Sequence, residues 1–140
     1  MKQYTINELQ DFVNSEIASV RKKLQQNSPS ALYIPIDYSL EMGGKRIRPL
    51  LLLISYNLFS DRIEKALPVA AAIEVFHNFT LLHDDIMDKA DVRRTRPTVH
   101  KKFSENSAIL SGDVMAFLSY RFLLETKLEK QPEILGLFTR

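Results

Sequence analysis

Val75-Phe76-His77-Asn78-Phe79-Thr80-Leu81-Leu82-His83-Asp84-Asp85-Ile86-Met87-Asp88 runs from apolar to acidic within four helical turns. His77, Leu81, Asp84 and Asp88 recur at intervals of four, three and four, so on a helix they share one face, while Asp85 sits about 100° around the axis. The apolar flank implies a largely buried helix whose acidic end opens at the mouth of an apolar groove. Carboxylates one turn apart repel each other. A hard divalent cation removes that cost: Mg²⁺ favours oxygen ligands and is usually held by one or two carboxylates plus a substrate's phosphate oxygens. Arg93 and Arg94 follow within a few residues, and guanidinium groups grip phosphate as bidentate donors. On solvated helix ends such aspartates are also common, and the apolar flank is what favours a ligand site.

About forty residues upstream lies a second basic cluster, Gly43-Gly44-Lys45-Arg46-Ile47-Arg48-Pro49. Paired glycines can adopt positive φ and bring backbone N–H groups near an anion, and Pro49 suits the first turn of a helix. Lys45 and Arg48 would then stand at a helix N-terminus, where the dipole also favours anions. By itself this stretch reads equally well as a solvated turn or a phosphate clamp. Two cationic clusters around one acidic cluster ask for two anionic substrates and a metal.

These residues, with His77, the Pro97-Thr98 pair, His100 and Gly112-Asp113, resemble in order and spacing the N-terminal half of the trans-type isoprenyl diphosphate synthases, the farnesyl and geranylgeranyl diphosphate synthase family. The resemblance implies an all-α helical bundle around a central cavity. It implies that Lys45, Arg48, His77 and Arg94 hold isopentenyl diphosphate, that Asp84 and Asp88 carry Mg²⁺, with Mn²⁺ as an alternative, on an allylic diphosphate, and that Arg93 binds that allylic diphosphate. Asp84, Asp88 and Arg93 would be the catalytic groups. Asp85 joins the metal set, more as a supporting residue than a direct ligand. A homodimer is also implied. The family's second aspartate-rich motif has no counterpart after Asp113, so residues 1–140 are expected to be the N-terminal portion of a single prenyltransferase domain whose C-terminal half is absent, and to be inactive alone.

Phe79 lies about 7.5 Å and Phe76 about 12 Å down the helix axis from Asp84, where a prenyl tail would run, and so are the expected chain-length floor. An aromatic floor resembles the short-chain pattern, about fifteen to twenty carbons. Three rivals stand beside this reading: a terpene cyclase-like lyase with one diphosphate substrate, a metal-dependent phosphohydrolase or nuclease, and a non-catalytic subunit of a heteromeric synthase.

Composition narrows the classes. A net charge of +2 is too small to argue for nucleic acid or an anionic membrane as partner, and the absence of cysteine removes disulfides and thiol catalysis. The apolar stretch 66–82 is broken by Pro68, Glu74, His77 and Asn78, so it forms no membrane span. With no apolar leader after Met1, a cytoplasmic location is expected. Period 3.6 places helices from a capping box at Thr5 and Glu8 onwards, near residues 36–42, 47–59, 64–90 and 107–127, with a loop at 91–96, a short helix from Pro97 and a last fragment from Pro132.

Overall fold

The computed structural model describes residues 1–140. Seven helices carry the fold: α1 (Ile6–Leu24), α2 (Ser30–Glu41), α3 (Ile47–Asn57), α4 (Leu67–Met87), α5 (Val99–Lys102), α6 (Glu105–Leu124) and α7 (Gln131–Thr139). α1 starts at the expected capping box: the Glu8 N–H donates to Thr5 Oγ1 at 3.2 Å, and the Thr5 N–H donates back to Glu8 Oε2 at 2.7 Å. Its Leu9, Val13, Ile17, Val20 and Leu24 are buried on one stripe.

α4 is the central helix. Ala70, Ala71, Ala72, Val75 and Leu82 are buried along it, and it packs for most of its length against α6, which buries Ala108, Ser111, Gly112, Met115 and Ser119. Small residues on both sides allow that close approach. At Gly112 an added Cβ would lie 2.5 Å from His83 Nε2 and would push that ring aside. By length and apolar composition α6 could cross a bilayer, which the sequence reading did not foresee, but here its buried face belongs to the bundle.

Several boundaries differ from expectation. α2 begins at Ser30 rather than residue 36, with Pro35 inside it. Burial of Pro35, Ile36, Tyr38, Ser39 and Leu40 offsets the lost backbone hydrogen bond. α4 starts only after a separate 3₁₀ turn, Ile63–Lys65, and stops at Met87 instead of residue 90. The stop is a Schellman motif: Ala90 N–H donates to Asp85 O at 2.9 Å, Lys89 N–H to Ile86 O at 3.1 Å, and Lys89 takes φ +52°. The stretch read as a loop is a two-stranded hairpin, β1 (Val92–Arg93) antiparallel to β2 (Arg96–Pro97). Two consecutive left-handed residues, Arg94 at φ +50° and Thr95 at φ +66°, make its turn. α5 therefore starts at Val99, after Pro97 has been spent in β2. α6 is capped by Ser104, whose Oγ accepts from the Ser107 N–H at 3.0 Å.

Candidate diphosphate and metal site

The two cationic clusters, seen in the sequence as separate, meet in space. One open cavity of about 400 Å³ is lined by Gly44, Lys45, Arg46, Ile47, Arg48, Glu74, His77 and Arg94. The expected isopentenyl diphosphate residues Lys45, Arg48, His77 and Arg94 thus share a wall. Gly43 and Gly44 take φ +68° and +133°, as paired glycines in an anion loop can, and Arg46 enters the left-handed region at φ +46° just before α3. Gly44 matters for a second reason: a Cβ there would lie 2.5 Å from the guanidinium carbon of Arg94 and would displace that side chain. The smallest residue lets the hairpin's arginine cross the glycine loop.

Arg48 Nη1 lies 3.2 Å from His77 Nε2. Arginine can only donate, so His77 accepts there as a neutral ring. Burial first, and then the Arg48 charge, hold the His77 pKa below its ordinary value. Burial likewise depresses the Arg46 pKa. Cations gathered in one wall repel one another, and an anion removes that cost.

At the end of α4, Asp84 and Asp88 are exposed and Asp85 is buried. Asp88 caps the helix, with no basic residue in its last turn. Carboxylates here face the negative end of the helix dipole as well as one another, an arrangement that favours a cation. No group of three His, Cys, Asp or Glu side chains converges into a ready-made cage. Two hard carboxylates open to incoming phosphate oxygens fit Mg²⁺, which keeps few protein ligands. Asp85 does something different. Arg93 Nε donates to its Oδ1 and Oδ2 at 3.1 and 2.9 Å, and Nη2 to Oδ1 at 2.8 Å. That hydrogen bonding, with the Asp85 charge and then Asp84 and Asp88, raises the Arg93 pKa.

Along α4 below the cavity runs an apolar groove of about 300 Å³, lined by Arg48, Ile73, Phe76, His77, Thr80 and Phe138. Phe76 is in its wall. Phe79 stands behind, edge-on to Phe76 at 5.2 Å and to His83 at 4.9 Å, half-buried against the core. Sequence reasoning passed over Arg46 and Glu74 as site residues. Glu74 is 4% exposed yet lines the cationic cavity, and a charged residue inside an apolar run was the signal. Phe138 carried no such signal, because only the packing of α7 brings it beside Phe76, at 5.2 Å.

Residues 29–140 match the family model described as polyprenyl synthetase. The chain is 37% identical over 127 residues to the geranylgeranyl diphosphate synthase of Methanosarcina mazei, covering 91% of this chain and 39% of that protein. It is 42% identical over 128 residues to the farnesyl diphosphate synthase of Geobacillus stearothermophilus, covering 90% of this chain and 42% of that one. A crystal structure of a geranylgeranyl pyrophosphate synthase superposes with a TM-score of 0.90 at 43% identity, over 99% of this chain and 41% of that chain. The chain therefore spans about two-fifths of the length of the relatives it matches.

Proposed function

The chain belongs to the polyprenyl synthetase family, and on that footing we propose that residues 1–140 are the N-terminal portion of one all-α prenyltransferase domain, joining isopentenyl diphosphate to an allylic diphosphate to give a short-chain product. The observation that carries this reading is the meeting of Lys45, Arg48, His77 and Arg94 in one cavity, with the exposed Asp84 and Asp88 further along the helix that carries His77. A lyase acting on a single diphosphate has no use for a second cationic wall.

Each group has a task. Lys45, Arg48 and Arg94 neutralise the diphosphate of isopentenyl diphosphate, and the neutral His77 orients Arg48. Asp84 and Asp88 would hold Mg²⁺, which when bound supplies positive charge to the allylic diphosphate as it departs. Arg93, fixed by Asp85, adds a preorganised cation at the same leaving group. Ionisation of the C–O bond leaves an allylic carbocation, the double bond of isopentenyl diphosphate attacks it, and a proton is lost to the released pyrophosphate. Phe76, in the groove wall, offers an aromatic face that stabilises cationic charge without reacting, and the apolar groove keeps water away once substrate fills it. The exposed apolar residues Leu110, Phe117 and Leu124, seven apart on α6, support a homodimer built through that helix. The proposed location is cytoplasmic.

Steady-state kinetics of the complete enzyme test the division of labour. Lys45→Ala and Arg48→Ala are expected to raise KM for isopentenyl diphosphate more than for the allylic substrate, and Arg93→Ala the reverse. Asp84→Ala and Asp88→Ala are expected to lower kcat by about 3–4 kcal/mol of barrier. Equal effects of all variants on both substrates would defeat the assignment.

A further inference from the structure

Arg93 and Arg94 are neighbours on one hairpin but are held in different ways. Arg93 has three hydrogen bonds to the buried Asp85. The Arg94 guanidinium has no hydrogen-bond or ion-pair partner from the protein, and it reaches the cavity by crossing Gly44. With no partner on its side chain, the direction in which Arg94 leaves the turn decides whether it reaches the cavity. That turn is strained, because both of its residues are left-handed and one of them, Thr95, is β-branched. A two-rung hairpin cannot hold such a turn closed unaided.

Thr98 closes the base of the hairpin on Ala90 O and Asp91 O, and Asp85 holds β1 through Arg93, but the outer strand is held from outside the cavity. On β2, Arg96 Nη1 is 3.0 Å from Glu41 Oε2, and its guanidinium carbon stands 4.5 Å over the Tyr38 ring. Tyr38 Oη donates to Pro97 O at 2.8 Å, tying α2 to the same strand. Glu41 is itself fixed by Arg21 Nη2 at 3.3 Å, and Arg21 is fixed by Asp37 at 2.6 Å. Hydrogen bonding to Arg96 is the first cause of the depressed Glu41 pKa. Exposed ion pairs are individually weak, but this one is networked, stacked on an aromatic ring and seconded by a buried hydroxyl.

We propose that Tyr38, Glu41 and Arg96 are positioning residues that clamp the outer strand of the hairpin, keeping the Arg94–Thr95 turn closed and Arg94 over Gly44 in the diphosphate cavity. This rests on the reading of that cavity as the isopentenyl diphosphate site. The clamp acts on one substrate only, because Arg93 keeps its own anchor on Asp85.

The test uses Glu41→Gln, Arg96→Met and the milder Tyr38→Phe in the complete enzyme. KM for isopentenyl diphosphate is expected to rise about three- to tenfold, the scale of a weakened surface network. kcat and the allylic KM should stay within about twofold. Adding Thr95→Gly to Glu41→Gln should recover most of the lost KM, since glycine holds a left-handed turn without a clamp. A purely structural role would lower Tm and leave the ratio of the two KM values where it was. An unchanged ratio, or a parallel rise of both, overturns the clamp. If the wild-type enzyme fails to condense the two substrates, the functional reading falls instead, and calorimetry with inorganic pyrophosphate in the absence of divalent metal decides the clamp. Weaker binding by Glu41→Gln upholds it, and equal binding overturns it.

Discussion

Asp85→Asn separates two roles that the sequence cannot tell apart, metal ligand and arginine holder. Asp85 is 5% exposed, and both its oxygens are engaged by Arg93, whose side chain is 31% exposed. Asparagine keeps the shape but loses the charge and turns an N–H₂ towards an N–H donor, so about half of the hydrogen bonding is lost. Breaking a fully buried pair costs about 3–5 kcal/mol. Water reaching the exposed third of Arg93 reduces that to about 2–3 kcal/mol, at roughly 1.5 kcal/mol or more for each charge-assisted bond lost. Thermal unfolding should register a fall in Tm on the order of 5 °C. The deficit should be constant across neutral pH: Asp85 raises the Arg93 pKa, so the contribution of Arg93 is fully present below the ordinary arginine pKa and is lost only above it. In kinetics, the allylic KM should rise while the Mg²⁺ concentration giving half-maximal rate stays within about twofold, whereas Asp84→Asn should move it strongly. An Asp85→Asn enzyme with the Mg²⁺ dependence of Asp84→Asn and an unchanged allylic KM would refute this reasoning.

Gly44→Ala should force Arg94 off the cavity and strain the backbone at φ +133° by about 1–3 kcal/mol. KM for isopentenyl diphosphate is then expected to rise by more than about tenfold, while Gly136→Ala, where nothing lies within 4 Å of the added Cβ, serves as the control that leaves KM alone. Because the folded-state pKa of His77 is depressed, its contribution to stability declines as pH falls through the window below the ordinary histidine value. A bound diphosphate draws that pKa back up, so binding at about pH 6 should take up a proton, seen as a calorimetric heat that depends on the buffer and disappears in His77→Gln; a buffer-independent wild-type heat would rule it out. Phe76→Ala should lengthen the main product by an isoprene unit or more, with Phe79→Ala acting in the same direction but less, since only Phe76 lines the groove. Chromatography showing one product length for all three enzymes would remove the aromatic floor.

The sequence alone determined the helical class and the arrangement of carboxylates at the end of α4, because both are local. Period 3.6 fixes which faces are buried, and Asp84 and Asp88 share a face by spacing whatever surrounds them. Paired glycines announce positive φ, and Gly43 and Gly44 adopt it. Tertiary structure decided what depends on residues far apart in the chain. The cationic wall forms only when the loop before α3 meets the hairpin, with Arg94 crossing Gly44 across fifty residues of sequence. Asp85 reads as a supporting residue by spacing, but the group it supports is visible only once Arg93 folds back onto it. The left-handed Arg94–Thr95 turn carries no glycine or asparagine to reveal it, since it is imposed by the end of α4 and by anchors on α2. Spacing along a helix places Phe76 and Phe79 at nearly equal claim to the groove, and only the packing of α7 puts Phe138 beside Phe76, while Phe79 lies against His83 one turn on. Local periodicity depends on neighbours within a turn or two, whereas the composition of a wall depends on which helices pack together.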